Sequence, residues 1–551
     1  MRAPRRPIPR GVLLSLTTIA AIAASARGDE PPPASAKPSP RPRVGAIDAS
    51  GSAEEARKPA RSETPFDATA WQAEVESLAR RAEMAGHERL STTIREWDVP
   101  EFTDRQAVFR IPTRLERPEW LDDDQEPLWK AFLAARRRRA EATFARAVEA
   151  AGAHDRPRTR DEIAAEAADG ADRPRRRGSE AIALLHRALR DDPDLAAARA
   201  VGGWVKRGDE WLSPAVAKRR DRGEEFDPAF GWLPRGRLER YKAGERYDAG
   251  RWVDAAEGDG APRPLKRAWR VESDHWRVST TATPEEAAGL AAALEEAFVV
   301  WRQVYGAYAW DPAELEKRFR GRGRTPLRDP FAAVLLRTRD DYVSEVTKFE
   351  PAAVRSDAIY WMPTRTIWFG PAPQGDAEHG AAGPGGVEPR TVYHEGAHQV
   401  FAEVRQTSAL AGERCGFWAI EAAACYVESA VPTPFGWTVG GPDAGRVPAA
   451  RERLLDDGFY VPLEELAAMG RREFQGDARL PRIYSQISGL ADFFMNADGG
   501  RYREAFLEYL ERVYAGGVDP DSLAKLCRRS HAELDDEYRR HLAREGAAAV
   551  R

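Results

Sequence analysis

Five consecutive residues constrain this chain more than any others: His394, Glu395, Gly396, Ala397 and His398. On a helix, positions four apart lie one turn apart on a single face. Two imidazoles so spaced can close on one metal ion, with Glu395 beside an open coordination position. A helix is expected because Val392, Ala397, Val400, Phe401 and Val404 form an apolar stripe, and the Gly/Pro-rich stretch from Gly370 to Pro389 supplies a loop before it. Gly396 costs that helix up to about 1 kcal/mol, which packing can offset. With 9 histidines in 551 residues, such a match arises by chance in roughly one chain in a hundred of this composition. The surrounding residues therefore have to decide.

Zinc in a catalytic site takes three protein ligands and leaves a fourth position for water. An extended metzincin pattern would place His or Asp ten residues after His394, where Val404 stands. The helical segment Trp418 to Glu428 follows, with Glu421 and Glu428 two turns apart on nearly one face. Glu421 is the expected third ligand. Glu428 is expected to orient a ligand histidine, with a plain exposed carboxylate as the alternative. Tyr484 is either a donor to a developing oxyanion or a core tyrosine on an amphipathic helix.

Trp418, Glu421, Ala424, Tyr426 and Glu428 match, position by position, a Trp-x-x-Glu-Gly-x-Ala-x-Tyr-x-Glu pattern lying about twenty residues beyond the paired histidines. On these residues the chain resembles the gluzincin clan of zinc metallopeptidases, and more closely the peptidase-MA-like domains of exported bacterial proteins. Ala422 replaces the usual glycine, a departure that bears on how open the cleft is. The phrase Val271 to Trp276 is similar to the opening strand pair of such domains, and Tyr484-Ser485-Gln486 to their Tyr-x-Gln, so the likeness spans roughly Pro264 to Ala543. It implies Zn2+ as cofactor, a peptide or protein as substrate, and hydrolysis by metal-activated water with Glu395 as general base. The alternative is a catalytically inactive exported binding or structural module that retains the fold.

The expected fold class is α+β: a gluzincin-like domain over residues 264–545, a small mixed sheet followed by a helical subdomain. Strands are expected at Arg267 to Val271, Trp276 to Thr280, Phe331 to Leu336, Ala358 to Trp361 and Thr366 to Phe369, the last lying beside an extended peptide. Thr283 and Glu286 form a capping box for a helix from Pro284 to about Tyr305, and the chain after Pro389 reads mainly as helix. His275 and His379 fall in turns or loops and are expected to be exposed.

Four segments precede that domain. Arg2, Arg5, Arg6 and Arg10 stand before the apolar run Val12 to Ala24, which ends in Ala24-Ser25-Ala26, so residues 1–26 read as a secretory signal peptide and the chain as exported, an uncleaved N-terminal anchor being the alternative. No later stretch approaches the ~20 apolar residues of a membrane span. Residues 27–65 read as a disordered Pro/Ala-rich linker. Residues 66–203 read as a helical region ending in one tetratricopeptide-like hairpin, Ser179 to Gly203. Residues 204–263 read as a small Trp-rich β module, with Trp204, Trp211, Trp232 and Trp252 as packing anchors.

A net charge of −4 gives no electrostatic reason to expect nucleic acid. The basic run Arg136 to Arg139 reads as a solvated helix surface. Three cysteines, Cys415, Cys425 and Cys527, exclude a disulfide-built scaffold and leave a Cys415–Cys425 pair open.

Overall fold

The computed structural model describes residues 68–99, 101–153, 176–260, 263–323, 328–371 and 383–548. The segments read as a signal peptide and a linker, and His379, lie outside them. Within them the protein is a mixture of helices and small sheets, as the α+β reading expects.

Thr283 accepts the backbone N–H of Glu286, and Glu286 reaches back to Thr283, so the capping box starts the helix Pro284–Val304 where the sequence placed it. Pro284 at the first turn needs no hydrogen bond there. Ala287, Leu290, Ala291, Leu294, Ala297 and Trp301 recur at helical spacing and are buried. This central helix packs against the sheet and the motif helix, Pro389–Val404. Gly396 faces the central helix, where an added Cβ would make ordinary contact with Leu294 at 3.4 Å and Ala297 at 3.6 Å.

Chain order supplies fourteen short strands. They are β1 (Gln106–Phe109), β2 (Val205–Arg207), β3 (Glu210–Leu212), β4 (Glu224–Asp227), β5 (Gly231–Pro234), β6 (Glu245–Asp248), β7 (Arg251–Asp254), β8 (Trp269–Glu272), β9 (Trp276–Thr280), β10 (Phe331–Leu335), β11 (Ala358–Trp361), β12 (Thr366–Phe369), β13 (Val431–Thr433) and β14 (Gly436–Val439). Five of them make the expected mixed sheet, in the order β11-β12-β10-β9-β8. The β9–β10 and β10–β12 pairs are parallel, and the two outer pairs antiparallel. The first strand starts at Trp269 rather than Arg267, because Leu265–Arg267 forms a 3-10 turn behind Pro264. A second correction follows from the strand order. β12 is paired on both sides, so no peptide can lie beside it; the free edge belongs to β11.

The region after Pro389 is not all helix. Pro-Phe-Gly turns the chain between β13 and β14, and β14 also pairs antiparallel with β1, more than three hundred residues earlier. The N-terminal region is therefore not an independent helical unit. Four residues are too few for β1 to show a period, and its partner is remote. Gln303 of the central helix completes the join, accepting from Phe109 N at 2.9 Å and donating to Phe109 O at 2.7 Å. One apolar core runs from Val108 and Ala140 through the hairpin helices Gly178–Asp191 and Ala196–Val201 to Leu542, and a smaller one lies around Trp71, Trp129 and Phe132.

The arginine run in helix Glu126–Ala151 also departs from expectation. Arg136 is 3% exposed, lying 3.6 Å from the Trp97 ring centroid, and Arg139 lies 3.7 Å from that of Trp71 while pairing with Asp191 at 2.6 Å. Desolvation of the guanidiniums is offset by these ring faces and carbonyl or carboxylate partners. Arg137 and Arg138 remain exposed.

Residues 205–260 form three successive hairpins, β2–β3, β4–β5 and β6–β7, each followed by a short helix: Pro214–Asp221, Leu238–Lys242 and Ala255–Gly260. Each second strand carries a tryptophan, Trp211, Trp232 and Trp252, so the module is a threefold repeat of about twenty residues. Trp211 and Trp232 are buried and their indole N–H groups donate to Asp194 and Asp274, both at 2.8 Å. The second unit docks directly on β8: at Gly231, with φ of 71°, a Cβ would stand 2.4 Å from the Glu272 carbonyl oxygen.

Candidate metal centre

The motif helix is held in register by the residue after its second histidine. Gln399 is fully buried; it accepts from Trp276 Nε1 of β9 at 2.9 Å and donates to Ala332 O of β10 at 3.0 Å and Arg365 O at 3.2 Å. One side chain thus ties the helix to two strands and to the β11–β12 turn. Glu403, one turn further on, receives Arg365 at 2.7 Å and fixes that turn again. The second helix, Phe417–Glu428, is buried throughout, starts after Gly416 in the left-handed conformation, and is anchored by Tyr426. The Tyr426 hydroxyl accepts from Gln106 Nε2 at 2.8 Å and lies 3.0 Å from Asn496 Oδ1 and 3.2 Å from Val439 O.

These two helices bring the expected residues together. His394 Nε2 and His398 Nε2 are 3.1 Å apart, and each is 3.5 Å from Glu421 Oε2. With Zn–N and Zn–O lengths of about 2.0–2.1 Å, two ligands of a tetrahedral site stand about 3.3–3.4 Å apart. The observed triangle of 3.1, 3.5 and 3.5 Å matches that spacing. Two nitrogens and one carboxylate oxygen, all buried, are a donor set that zinc accepts.

His394 turns its other nitrogen outward: Nδ1 lies 3.1 Å from Glu428 Oε2. Glu428 in turn receives Arg446, Nε at 2.9 Å and a terminal nitrogen at 3.2 Å. Burial pushes the Glu428 carboxyl up, yet Arg446 and His394 outweigh it and hold the group at about 2. His394, Cys425 and Glu428 also lie close enough to be considered as a metal group. That grouping is disfavoured, because Glu428 is already neutralised by a two-point guanidinium contact and occupies the Nδ1 face. Arg446 was not foreseen. It lies eighteen residues beyond its partner in an unremarked turn, and no local pattern marks it.

Burial also opposes ionisation of Glu421, but His398 and His394 beside it hold its carboxyl well below the usual range. In His394 burial favours the neutral ring, and the neighbouring Cys425, Glu421 and Glu428 together push its proton affinity well above the ordinary value. Glu395 behaves in the opposite sense from Glu421. Burial raises its carboxyl, partly countered by the two histidines. Its Oε2 accepts the Tyr360 N–H from the free edge of β11 at 2.7 Å, and its Oε1 has no hydrogen bond among the described residues. Tyr360 was not singled out from the sequence; the strand was, but its edge position was not.

Tyr484 is brought to the site, 3% exposed, on the helix Leu480–Gly500. Its hydroxyl donates to Glu421 Oε2 at 3.0 Å, so in this state it steadies the carboxylate. His275 is not exposed as expected. It is half-buried, with Nδ1 2.7 Å from Glu295 Oε2, because the turn folds over the central helix. Cys415, Cys425 and Cys527 are buried, and none is in a disulfide among the described residues.

No protein-family model, curated protein or solved structure matches this chain. Function has to be argued from the site alone. Among the described residues, no helix is long and apolar enough to cross a membrane.

Proposed function

We propose that this chain is an exported zinc-dependent peptidase of gluzincin type, with His394, His398 and Glu421 as metal ligands and Glu395 as general base. The observation that carries the reading is the triangle of ligand atoms, 3.1, 3.5 and 3.5 Å on its sides, with a raised carboxyl next to it in sequence. Zinc, when bound, supplies an acidified water and a Lewis acid for the substrate carbonyl.

The chain's own residues do the rest. Glu395 Oε1 takes the water proton and passes it to the leaving amine; a carboxyl raised by burial is a better proton acceptor at neutral pH than an ordinary one. Tyr360 holds the other oxygen and so fixes the rotamer. Tyr484 keeps the Glu421 oxygen turned to the histidines, and Glu428, backed by Arg446, sets the ring plane of His394. The free edge of β11 runs past Glu395, which suits an extended peptide adding as a strand. Peptide or protein is accordingly the proposed substrate class.

Metal analysis of the purified protein tests the reading, alongside cleavage of a mixed peptide library by the parent and by Glu395→Gln. About one zinc per chain in both, with cleavage only in the parent, is expected. A zinc-loaded parent that cleaves nothing would leave the inactive binding module in its place.

A further inference from the structure

A second cavity, of about 620 Å³, lies away from the metal centre, between the hairpin helix Gly178–Asp191, the outer side of the central helix and the first two tryptophan hairpins. Its walls are mostly apolar, with Leu185, Val201, Trp204, Phe226, Phe298 and Val299 among them. The volume falls in the range of roughly 300–1,000 Å³ typical of small-molecule sites.

Formally the lining balances, four arginines (Arg110, Arg199, Arg220 and Arg302) against four carboxylates (Glu210, Asp274, Glu295 and Glu296), but the charges are unevenly paired. Arg220 pairs with Glu210 at 2.8 Å, Arg110 with Glu296 at 3.6 Å, and His275 with Glu295 at 2.7 Å. Asp274 accepts the Trp232 indole N–H. Asp274 and two arginines, Arg199 and Arg302, stand outside these close ion pairs. Arg199 is 2% exposed and is satisfied as Arg136 is, donating to the carbonyls of Pro193 and Pro112 with its guanidinium 4.8 Å from the Trp204 ring centroid. Arg302, in the last turn of the central helix, has a buried Nε without a hydrogen-bond partner. Among the described residues neither guanidinium has a carboxylate within 4.0 Å. His186 adds no charge: burial first, and the nearby Arg302, hold its ring at about 3, and Nδ1 lies 2.8 Å from Ile182 O.

Arg302 is half-buried in a mostly apolar wall with no carboxylate beside it, a place where an anion would gain a charge-assisted hydrogen bond. We propose that this cavity binds a small organic carboxylate, its apolar body against the tryptophan and phenylalanine walls and its carboxylate on Arg302. The lining favours a carboxylate with a hydrophobic body over a phosphate, whose higher charge and hydration ill suit such walls. The site is separate from the metal centre, and the proposal stands whether or not the chain cleaves peptides.

The test is calorimetric titration of the full chain with straight-chain monocarboxylates from acetate to decanoate and with 3-phenylpropionate. Each is paired with its neutral amide. Saturable binding that strengthens with apolar bulk, and is at least about tenfold weaker for each amide, is expected, since a charged hydrogen bond to a buried guanidinium is lost. Arg302→Met should lose the same factor while leaving zinc content unchanged. No saturable binding by any acid, or equal binding of acid and amide, overturns the proposal. Because the amide comparison uses the unaltered protein, the result does not depend on the variant folding.

Discussion

Two clusters of ionisable groups lie on either side of the central helix, and they differ in which group lacks a close partner. Around His394, once the Glu428–Arg446 pair is set aside, Glu421 is matched only by the two imidazoles, and Glu395 has no cation within 4.0 Å among the described residues. Below the tryptophan hairpins the group without a partner is the Arg302 Nε. The first cluster is the proposed site of a divalent cation and the second that of an anion, and each can be broken independently.

The largest effects belong to the cation side. His394→Ala or Glu421→Ala should abolish stoichiometric zinc, read by metal analysis, and with it all cleavage. Glu395→Gln should lower turnover by roughly 10²–10⁴-fold while keeping the metal. If zinc vanished in that variant as well, Glu395 would be part of the metal's charge compensation rather than a proton carrier. Next in size is Arg446→Met. Leaving Glu428 without its guanidinium frees it to pull on His394, and zinc affinity should fall roughly 10–100-fold, measured by competition with a chromophoric chelator.

Much of the cation side was legible in the sequence because its chemistry is local. His394 and His398 are four apart on one stripe, and Glu421 sits in a helix whose burial its alanines announce. What supports them was not. Arg446, Tyr360 and Gln399 reach the site through contacts set by strand order and turn geometry, which leave no period in the chain. The same holds for the fold. The capping box at Thr283 and the strands that alternate were readable, whereas β1 found β14 across 330 positions by a pairing no four-residue stretch encodes. The anion side was nearly silent. A tryptophan every twenty residues signals three hairpins, but the repeat is short and interrupted by charged loops; the cavity it roofs is lined from ten separate helices and strands.

Acid should sharpen the contrast from the cation side. Glu428 is held at about 2 against an ordinary 4.5, so its contribution to the metal-free protein is fully present above 4.5 and is lost as pH falls through 2. The loss amounts to roughly 3 kcal/mol at about 1.4 kcal/mol per unit. Chemical denaturation of metal-free protein between pH 5 and 2.5 should show this fall, and Glu428→Gln should flatten it. His394, whose proton affinity is raised, works in the other sense: its contribution is present below its ordinary value of 6.5 and is lost as pH rises through the elevated one. Zinc must displace that proton, so binding near neutrality should release about one proton per chain, measurable by calorimetry in buffers of different ionisation enthalpy.

The smallest effect is the most diagnostic for the anion side. Removing a buried charge that lacks a partner relieves a desolvation cost, whereas removing one that is satisfied creates a defect. Arg302→Met keeps most of the side-chain volume and the helical propensity, so without ligand it should raise the melting temperature by a few degrees, about 1 kcal/mol on a chain of this size. Arg139→Met is the control, because Arg139 is tied to Asp191 and Asp98 and its loss strands a carboxylate that is 1% exposed. That variant should melt lower. Opposite signs for these two arginines would show that the protein distinguishes a paired guanidinium from one awaiting its counter-ion; equal signs would mean that Arg302 is already satisfied, and the cavity would then have no call for an acid.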